Sequence, residues 1–137
     1  MDKRLVLAHW RRARQEAAVS DLALREDIYE PSISSAYYAI MHSANAVLQL
    51  RGIVAKSHNA VRNQFGKHLI KTGEIEPVWA DFLSQHKVMR WTADYDIEAS
   101  FGVEQAAQLN AECHQFIERM RRYLLAHGIT SKELDSE

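Results

Sequence analysis

The segment RWTADYD, residues 90–96, brings together side chains that could bind or act on an anion. Arg90 and Asp94 stand four residues apart, so on a helix they can form an ion pair, and Tyr95 lies one step further round. This combination indicates either a structural lock at a helix end or an anion-binding corner. From these residues alone we favour the lock, and we keep Arg90, Asp94 and Tyr95 as candidate catalytic residues.

A second polar cluster is Lys56-Ser57-His58. Ser57 suits the N-cap of a helix, because its hydroxyl oxygen can accept a hydrogen bond from a backbone amide of the first turn. His58 would then stand in that first turn, either as a surface residue or as part of a cleft wall. Ser57 and His58 are therefore candidate ligand-binding residues.

A row of polar side chains runs down one side of the predicted central helix, at steps of four, three and four: Tyr38, His42, Asn45 and Gln49. On the same helix, apolar side chains form one neighbouring stripe and small residues form another, so the polar row is expected to lie beside the core. Buried polar groups nearly always find hydrogen-bond partners. It predicts an internal network, a subunit interface or a cleft wall, and we favour the network or interface. Tyr38 and His42 are further candidate cleft residues.

Other kinds of catalytic site find no support in the sequence. The seven histidines are scattered, no Glu-x-x-His pair or His-Glu-x-x-His motif occurs, and Cys113 is the single cysteine. No glycine-rich phosphate loop follows a predicted strand, and no nucleophile elbow is present. We therefore expect neither a metal site nor a cofactor.

The composition predicts one domain with a proper core, since 47% of the 137 residues are hydrophobic. The formal net charge of -1 gives no overall sign of nucleic-acid binding. No apolar run approaches the roughly 20 residues of a membrane span. The N-terminus lacks the pattern of a signal peptide, and one cysteine gives no disulfide framework. We expect a soluble cytoplasmic protein without a membrane partner.

Helical periodicity, punctuated by proline and glycine, predicts the elements that position these clusters. In the central helix, residues 32–52, apolar side chains recur at three- and four-residue steps, and Gly52 suits its C-terminal cap. The other predicted helices span residues 3–29, 57–72, 77–93 and 103–127.

No stretch shows the alternation of a strand, so the predicted fold is all-α. We expect an up-and-down four-helix bundle with one additional short helix. Residues 1–127 would form this single domain, and residues 128–137 a mobile polar tail.

Four stretches of the chain resemble the HEPN domains of prokaryotes: SAYYAIMHSANAVL, KSHNAVRNQFGKHLIKTG, RWTADYD and an alanine-rich helix ending in QFIERMRR. They are most similar to the small stand-alone branch with the pattern YYAxxH, SHxxV…F and R-x-x-ADY. The resemblance extends over nearly the whole chain, with the motifs in the right order.

The resemblance implies a dimer of helical bundles that is paired genetically with a minimal nucleotidyltransferase in toxin–antitoxin or defence modules. Many members of the family are metal-independent ribonucleases with an Arg-x(4–6)-His motif, two copies of which meet at the dimer cleft. In such a site, histidine can transfer the proton of an attacking ribose hydroxyl, and arginine can stabilise the phosphate charge.

The chain departs from this motif, because Arg90 matches the arginine but no histidine stands among residues 91–96 that follow it. Tyr95 occupies the slot that the histidine takes at the shortest spacing, and tyrosine, with an ordinary pKa of about 10, is a poor base near neutral pH. In some paired systems the partner enzyme adenylylates a tyrosine near the motif, which makes Tyr95 a candidate target.

Three hypotheses follow. The first is a homodimeric HEPN protein, the toxin-like or regulatory half of a pair with a nucleotidyltransferase, that binds RNA or a nucleotide at a dimer cleft. The second is a metal-independent ribonuclease in which His58 or His42 replaces the missing motif histidine. The third is a non-catalytic helical dimer that serves as a scaffold.

Overall fold

The fold is arranged around its most buried long helix, α2 (Tyr29–Leu50), in which 14 of 22 residues are buried. In the computed structural model, which describes residues 1–136, α2 contacts α1 (Lys3–Arg25), α3 (His58–Phe65), α4 (Val78–Tyr95) and α5 (Val103–Ala126). A π-helical turn, Gly66–Ile70, continues α3, and α6 (Ser131–Asp135) follows α5. No strand occurs within residues 1–136, which confirms the all-α class.

The break between α1 and α2 lies earlier than the sequence predicts. The first helix ends at Arg25 and not at Tyr29, because Asp27 adopts a left-handed backbone conformation with φ of 59°. Ile28, which lies inside the first helix as predicted from the sequence, is therefore 49% exposed and serves as the N-cap of α2. Pro31 lies in the first turn of α2, where its missing N–H costs no intrahelical hydrogen bond.

The end of α2 agrees with its prediction. Gly52 has a φ of 74°, and its amide donates to the Gln49 carbonyl, while the Ile53 amide donates to the Leu48 carbonyl. This hydrogen-bonded turn satisfies carbonyls of the last helical turn, and glycine adopts its left-handed conformation without strain. The turn directs the chain toward α3.

Two acidic residues anchor the connection between α3 and α4. Glu74 accepts from Arg51 Nη1 at 2.6 Å and from the Tyr123 hydroxyl at 2.9 Å, which ties the connection to the end of α2 and to α5. Glu76 accepts from Arg119 Nε at 2.8 Å, and this hydrogen bond, with that from Trp79, lowers the pKa of Glu76 to about 2. The connection therefore holds the start of α4 against α5.

The C-terminal segment, predicted as a mobile polar tail over residues 128–137, contains a helix that packs on the core. Residue 137 lies outside the part of the chain that the structure describes. Leu134 in α6 and Ile129 before it are buried in the main core. The indole N–H of Trp10 donates to the Leu134 carbonyl at 3.0 Å, which joins α6 to the first half of α1. The polar sequence concealed this helix, because only one of its side chains, that of Leu134, is buried in the core.

No helix within residues 1–136 combines the length and the apolar character needed to cross a bilayer.

We predict that Leu134→Ala lowers the free energy of unfolding by about 2–4 kcal/mol, because it leaves a cavity where a fully buried leucine stands. Chemical denaturation measures the change. The matched control is Lys132→Ala in the same helix, an exposed position that should change stability by less than about 0.5 kcal/mol. Equal, small effects for both variants would contradict the docking of α6.

Candidate functional site

Arg90 of α4 packs against two tyrosines of α2. Its guanidinium carbon lies 5.1 Å from the centroid of the Tyr37 ring and 5.8 Å from that of the Tyr38 ring. The arginine side chain is 17% exposed, so the positive charge is largely withdrawn from water but rests on electron-rich ring faces. This contact fixes α4 against α2 at the level of the predicted cluster.

The ion pair predicted from the four-residue spacing is present but loose. Arg90 Nη1 donates to Asp94 Oδ2 at 3.4 Å, a long hydrogen bond, and the other carboxylate oxygen of Asp94 accepts from the Ser34 hydroxyl. Arg90 Nε is buried and has no hydrogen-bond partner within residues 1–136. The guanidinium therefore keeps unused capacity for an anion, which a tight lock would not leave.

The hydroxyl of Tyr37 joins this cluster to α3. It accepts from Arg62 Nη1 at 3.2 Å and lies 3.1 Å from His58 Nδ1. Because the hydroxyl oxygen already accepts from Arg62, we assign its O–H as the donor to His58 Nδ1, which leaves His58 Nε2 as an N–H donor in the neutral ring. Burial lowers the pKa of His58, and the charges of Arg90 and Arg62 lower it further, so the ring is neutral near pH 7.

A second histidine pair stands beside the polar row. His9 Nδ1 and His42 Nδ1 are 3.1 Å apart, and their ring centroids are 5.4 Å apart. The two nitrogens thus lie close to the line between the rings, as in an N–H···N hydrogen bond and unlike two ligands converging on one ion. Burial lowers the pKa of His42 to about 4, with smaller effects from His9, Arg12 and His58, and burial also lowers the pKa of His9.

Two neighbouring cavities open around these residues, and both are lined by His42. The α4 cleft, of about 530 Å³, is lined by Arg12, Glu16, Glu30, Pro31, Ser34, Ser35, Tyr38, His42, Ala93 and Asp94. The α3 pocket, of about 400 Å³, is lined by His9, Met41, His42, Asn45, Gln49, Val54, Ala55, Lys56, Ser57, His58 and Val61. The cleft contains three carboxylates, whereas the side chains that line the α3 pocket within residues 1–136 include none.

The structure brings most of the predicted site residues together. Tyr38, His42 and Asp94 line the α4 cleft, and Ser57 and His58 line the α3 pocket with His42. Arg90 joins the two groups through the tyrosines. The Ser57 hydroxyl accepts from the Ala60 amide at 3.0 Å, which confirms the predicted N-cap.

Tyr95 lies apart from this cluster. Its side chain is 63% exposed, and its ring centroid is 5.8 Å from that of Trp91, which is also exposed. The sequence prediction grouped Tyr95 with Arg90 because the two residues are close along the chain. The helix turns them toward different surroundings.

Four residues of the site escaped the sequence analysis: His9, Ser34, Tyr37 and Arg62. Ser34 continues the polar row one turn earlier, and Arg62 stands four residues after His58, so helical spacing could have found both. Tyr37 stands among the apolar side chains that recur along the central helix, although a buried phenol usually needs a hydrogen-bond partner. The sequence holds no signal for His9, which meets His42 from a different helix.

No group of three or more His, Cys, Asp or Glu side chains is placed to hold a metal ion in the described part of the chain.

Comparison with known proteins adds the family context. The family model described as the HEPN domain matches residues 6–123. The chain is 27% identical over 125 residues to the protein named "Putative toxin MJ0142" of Methanocaldococcus jannaschii, with 91% of this chain and 85% of that protein covered. It is 28% identical over 112 residues to "Putative toxin MJ0605" of the same organism, covering 82% and 83%. The Pyrococcus horikoshii protein named UPF0332 protein PH1297 is 35% identical over 79 residues, covering 58% and 56%.

We predict that His42 makes the protein less stable as the pH falls from 6.5 to about 4. The folded-state pKa of about 4 lies below the ordinary 6.5, so the unfolded chain binds more protons across this window and stability rises with pH. The contribution is full above pH 6.5 and reaches at most about 3 kcal/mol.

The measurement is the unfolding free energy at several pH values for the wild type and for His42→Gln. The variant should show the shallower loss on acidification. His68→Gln, which changes a histidine outside both cavities, is the control and should keep the wild-type slope. Parallel curves for wild type and His42→Gln would refute the assignment.

Proposed function

Because the chain belongs to the HEPN domain family, which the match over residues 6–123 establishes, we propose that it is the toxin-like or regulatory half of a two-protein pair and that it binds RNA around Arg90. The partner in this proposal is a minimal nucleotidyltransferase. The four long helices would form an up-and-down bundle, and two copies of the chain would form the active dimer. Two relatives carry the name "Putative toxin", which supports the toxin-like part of the proposal.

The observation that carries the RNA proposal is the state of Arg90. Its guanidinium stacks on Tyr37 and Tyr38, its ion pair with Asp94 is long, and its Nε is buried without a partner within residues 1–136. Arginine matches phosphate geometry with several donors, and aromatic faces accept unstacked bases. An arginine in this state is suited to a phosphodiester anion.

The charges around the site favour one path for the strand. The α4 cleft holds Glu16, Glu30 and Asp94, which would repel phosphate, although Arg12 lies 3.5 Å from Glu16. Within residues 1–136, the α3 pocket is lined by Lys56 and by no carboxylate, and Arg62 lies close to its His58 wall. The strand is therefore expected to pass along α3, with Arg90 as its inner contact.

A second candidate function is metal-independent RNA cleavage, and the His58–Tyr37 hydrogen bond favours it. A neutral histidine held in place beside an arginine can transfer protons while the arginine stabilises the charge on phosphate. As His58 Nε2–H protonated the leaving oxygen, His58 Nδ1 would take the proton of the Tyr37 hydroxyl, so the ring would stay neutral and Arg62 would stabilise the resulting phenolate. A base would then have to come from His42 or from the second copy.

The dimer proposal rests on one face of α4. Three large side chains on this face, at steps of three and four residues, are exposed: Val88 (61%), Trp91 (57%) and Tyr95 (63%). Ile97, beyond the end of the helix, is 96% exposed. Contiguous exposed apolar side chains indicate an interaction surface. A monomeric mass by light scattering at micromolar concentration would count against a homodimer.

We predict that Arg90→Ala weakens the binding of single-stranded RNA by about tenfold or more, because it removes charge-assisted hydrogen bonds to phosphate. Arg90→Lys should restore little, since lysine lacks the planar group that stacks on the tyrosines. Fluorescence anisotropy with labelled RNA in chelator gives the affinity. The control is Arg122→Ala, an exposed arginine outside both cavities, for which a small change is expected.

The same samples, analysed for cleaved RNA, separate the three functions. Chelator-resistant cleavage that Arg90→Ala and His58→Gln both abolish would establish the ribonuclease. Binding without cleavage, together with growth arrest on expression, would support a toxin that acts by binding. Absence of binding, cleavage and arrest would leave only the scaffold and would overturn the proposal.

We predict that co-expression with the neighbouring gene product adds a nucleotidyl group to Tyr95, whose side chain is 63% exposed in the single chain and is open to an enzyme before two chains associate. Intact mass spectrometry should show the added mass on the wild type and on the control Tyr29→Phe, and no added mass on Tyr95→Phe. A neighbouring gene that encodes no nucleotidyltransferase would remove the basis for the pairing.

A further inference from the structure

We propose that the α3 pocket is a nucleobase subsite, in which the amides of Asn45 and Gln49 recognise the hydrogen-bonding edge of one base. The inference rests on the proposed function, because it specifies how the same site would select among nucleotides. Asn45 and Gln49 belong to the polar row of α2 and both line the pocket.

The amide of Asn45 is incompletely satisfied. Its Nδ2 donates to the Ala55 carbonyl at 3.5 Å, and its Oδ1 is buried without a hydrogen-bond partner within residues 1–136. A carbonyl can only accept, so this contact identifies the NH2 end of the Asn45 amide and leaves Oδ1 on the other side. Buried acceptors without a partner are rare in folded proteins and call for an explanation.

Asn45 can turn toward the pocket at little cost. The 3.5 Å hydrogen bond is at the long limit for such contacts, and the terminal torsion of asparagine is broad. A ligand that brings an N–H group into the pocket would give Oδ1 the partner that it lacks. Gln49, one helical turn further on and 8% exposed, would contribute a second amide to the same edge.

The walls of the pocket identify the class of ligand. Met41, Ala55 and Val61 are buried apolar residues, whereas His42, Asn45 and Gln49 are polar. A ligand with flat apolar faces and a polar N–H edge satisfies both sets, and an unstacked nucleobase has this form. A sugar would leave the apolar walls uncovered, and an aliphatic ligand would leave Asn45 without a donor.

The location of the pocket suits a nucleotide. His58 lines the pocket and is hydrogen-bonded to Tyr37, and the Arg90 guanidinium packs against the ring of Tyr37. A base in the pocket would therefore place its phosphate near the Arg62 and Arg90 side of His58. Asparagine and glutamine amides are standard partners of base edges in nucleic-acid recognition.

The test compares AMP, GMP, CMP and UMP with ribose 5-phosphate, which lacks a base, by isothermal titration of the full chain. At least one nucleotide should bind about tenfold or more tightly than ribose 5-phosphate. Asn45→Ala should reduce this ratio by about fivefold and leave the affinity for ribose 5-phosphate unchanged. Gln49→Met, which preserves side-chain length, provides a second variant, and Asn63→Ala, an exposed position on α3 outside the pocket, is the control.

The subsite would be overturned if all four nucleotides bound with about the same affinity as ribose 5-phosphate. It would also be overturned if the ratio of these affinities were the same in wild type, Asn45→Ala and Gln49→Met. Arg90→Ala in the same assay tests the proposed function separately, because it should weaken nucleotides and ribose 5-phosphate equally. A 2′-O-methylated RNA oligonucleotide, intact or with one abasic residue, identifies the source of the base. Weaker binding of the abasic strand supports a base within RNA, whereas base-dependent binding of the mononucleotides alone supports a free nucleotide.

Discussion

The hydroxyl group and ring of Tyr37 set the constraint on which the site depends. The side chain is fully buried, yet its hydroxyl contacts His58 and Arg62 of α3, and its ring lies under Arg90 of α4. One residue of the central helix thus helps to fix the positions of three others. A phenylalanine there would fill the same core volume but would leave the histidine without its partner. The core and the site are therefore built from the same side chain.

This arrangement concentrates positive charge in a partly dry environment. Arg62 and Arg90 both lower the pKa of His58, after burial, and Arg12 lowers that of His42. Neutral histidines between arginines can donate or accept hydrogen bonds without adding to the repulsion. The nearest compensating carboxylate, Asp94, is shared with Ser34 and lies 3.4 Å from Arg90. Electrostatics of this kind favour an incoming anion, because the charges on the protein are not fully neutralised by one another.

Helical periodicity predicted much of this from the sequence alone. The polar row at 38, 42, 45 and 49 lines the two cavities, and the proline and glycine signals near 31 and 52 lie at the ends of α2. Pairings between distant segments could not be predicted, since His9 meets His42 across 33 residues without a local signal. The segment that contains helix α6 was missed for a related reason. It is short and polar, and its two core residues, Ile129 and Leu134, give too little periodicity to detect.

The placement of Tyr95 follows from the geometry of one helix. Successive residues of an α-helix are rotated by about 100°, so Asp94, which faces Ser34, and Tyr95 cannot share a direction. Tyr95 instead lies with Trp91 on the exposed face of α4. A phosphate-bearing group added there would bring negative charge onto an apolar surface, away from the guanidinium of its own chain. Under the proposed pairing, the modification would therefore first affect the binding of a partner to this face. A phosphate resists burial in an apolar interface because it must lose its water and because it repels other negative charges.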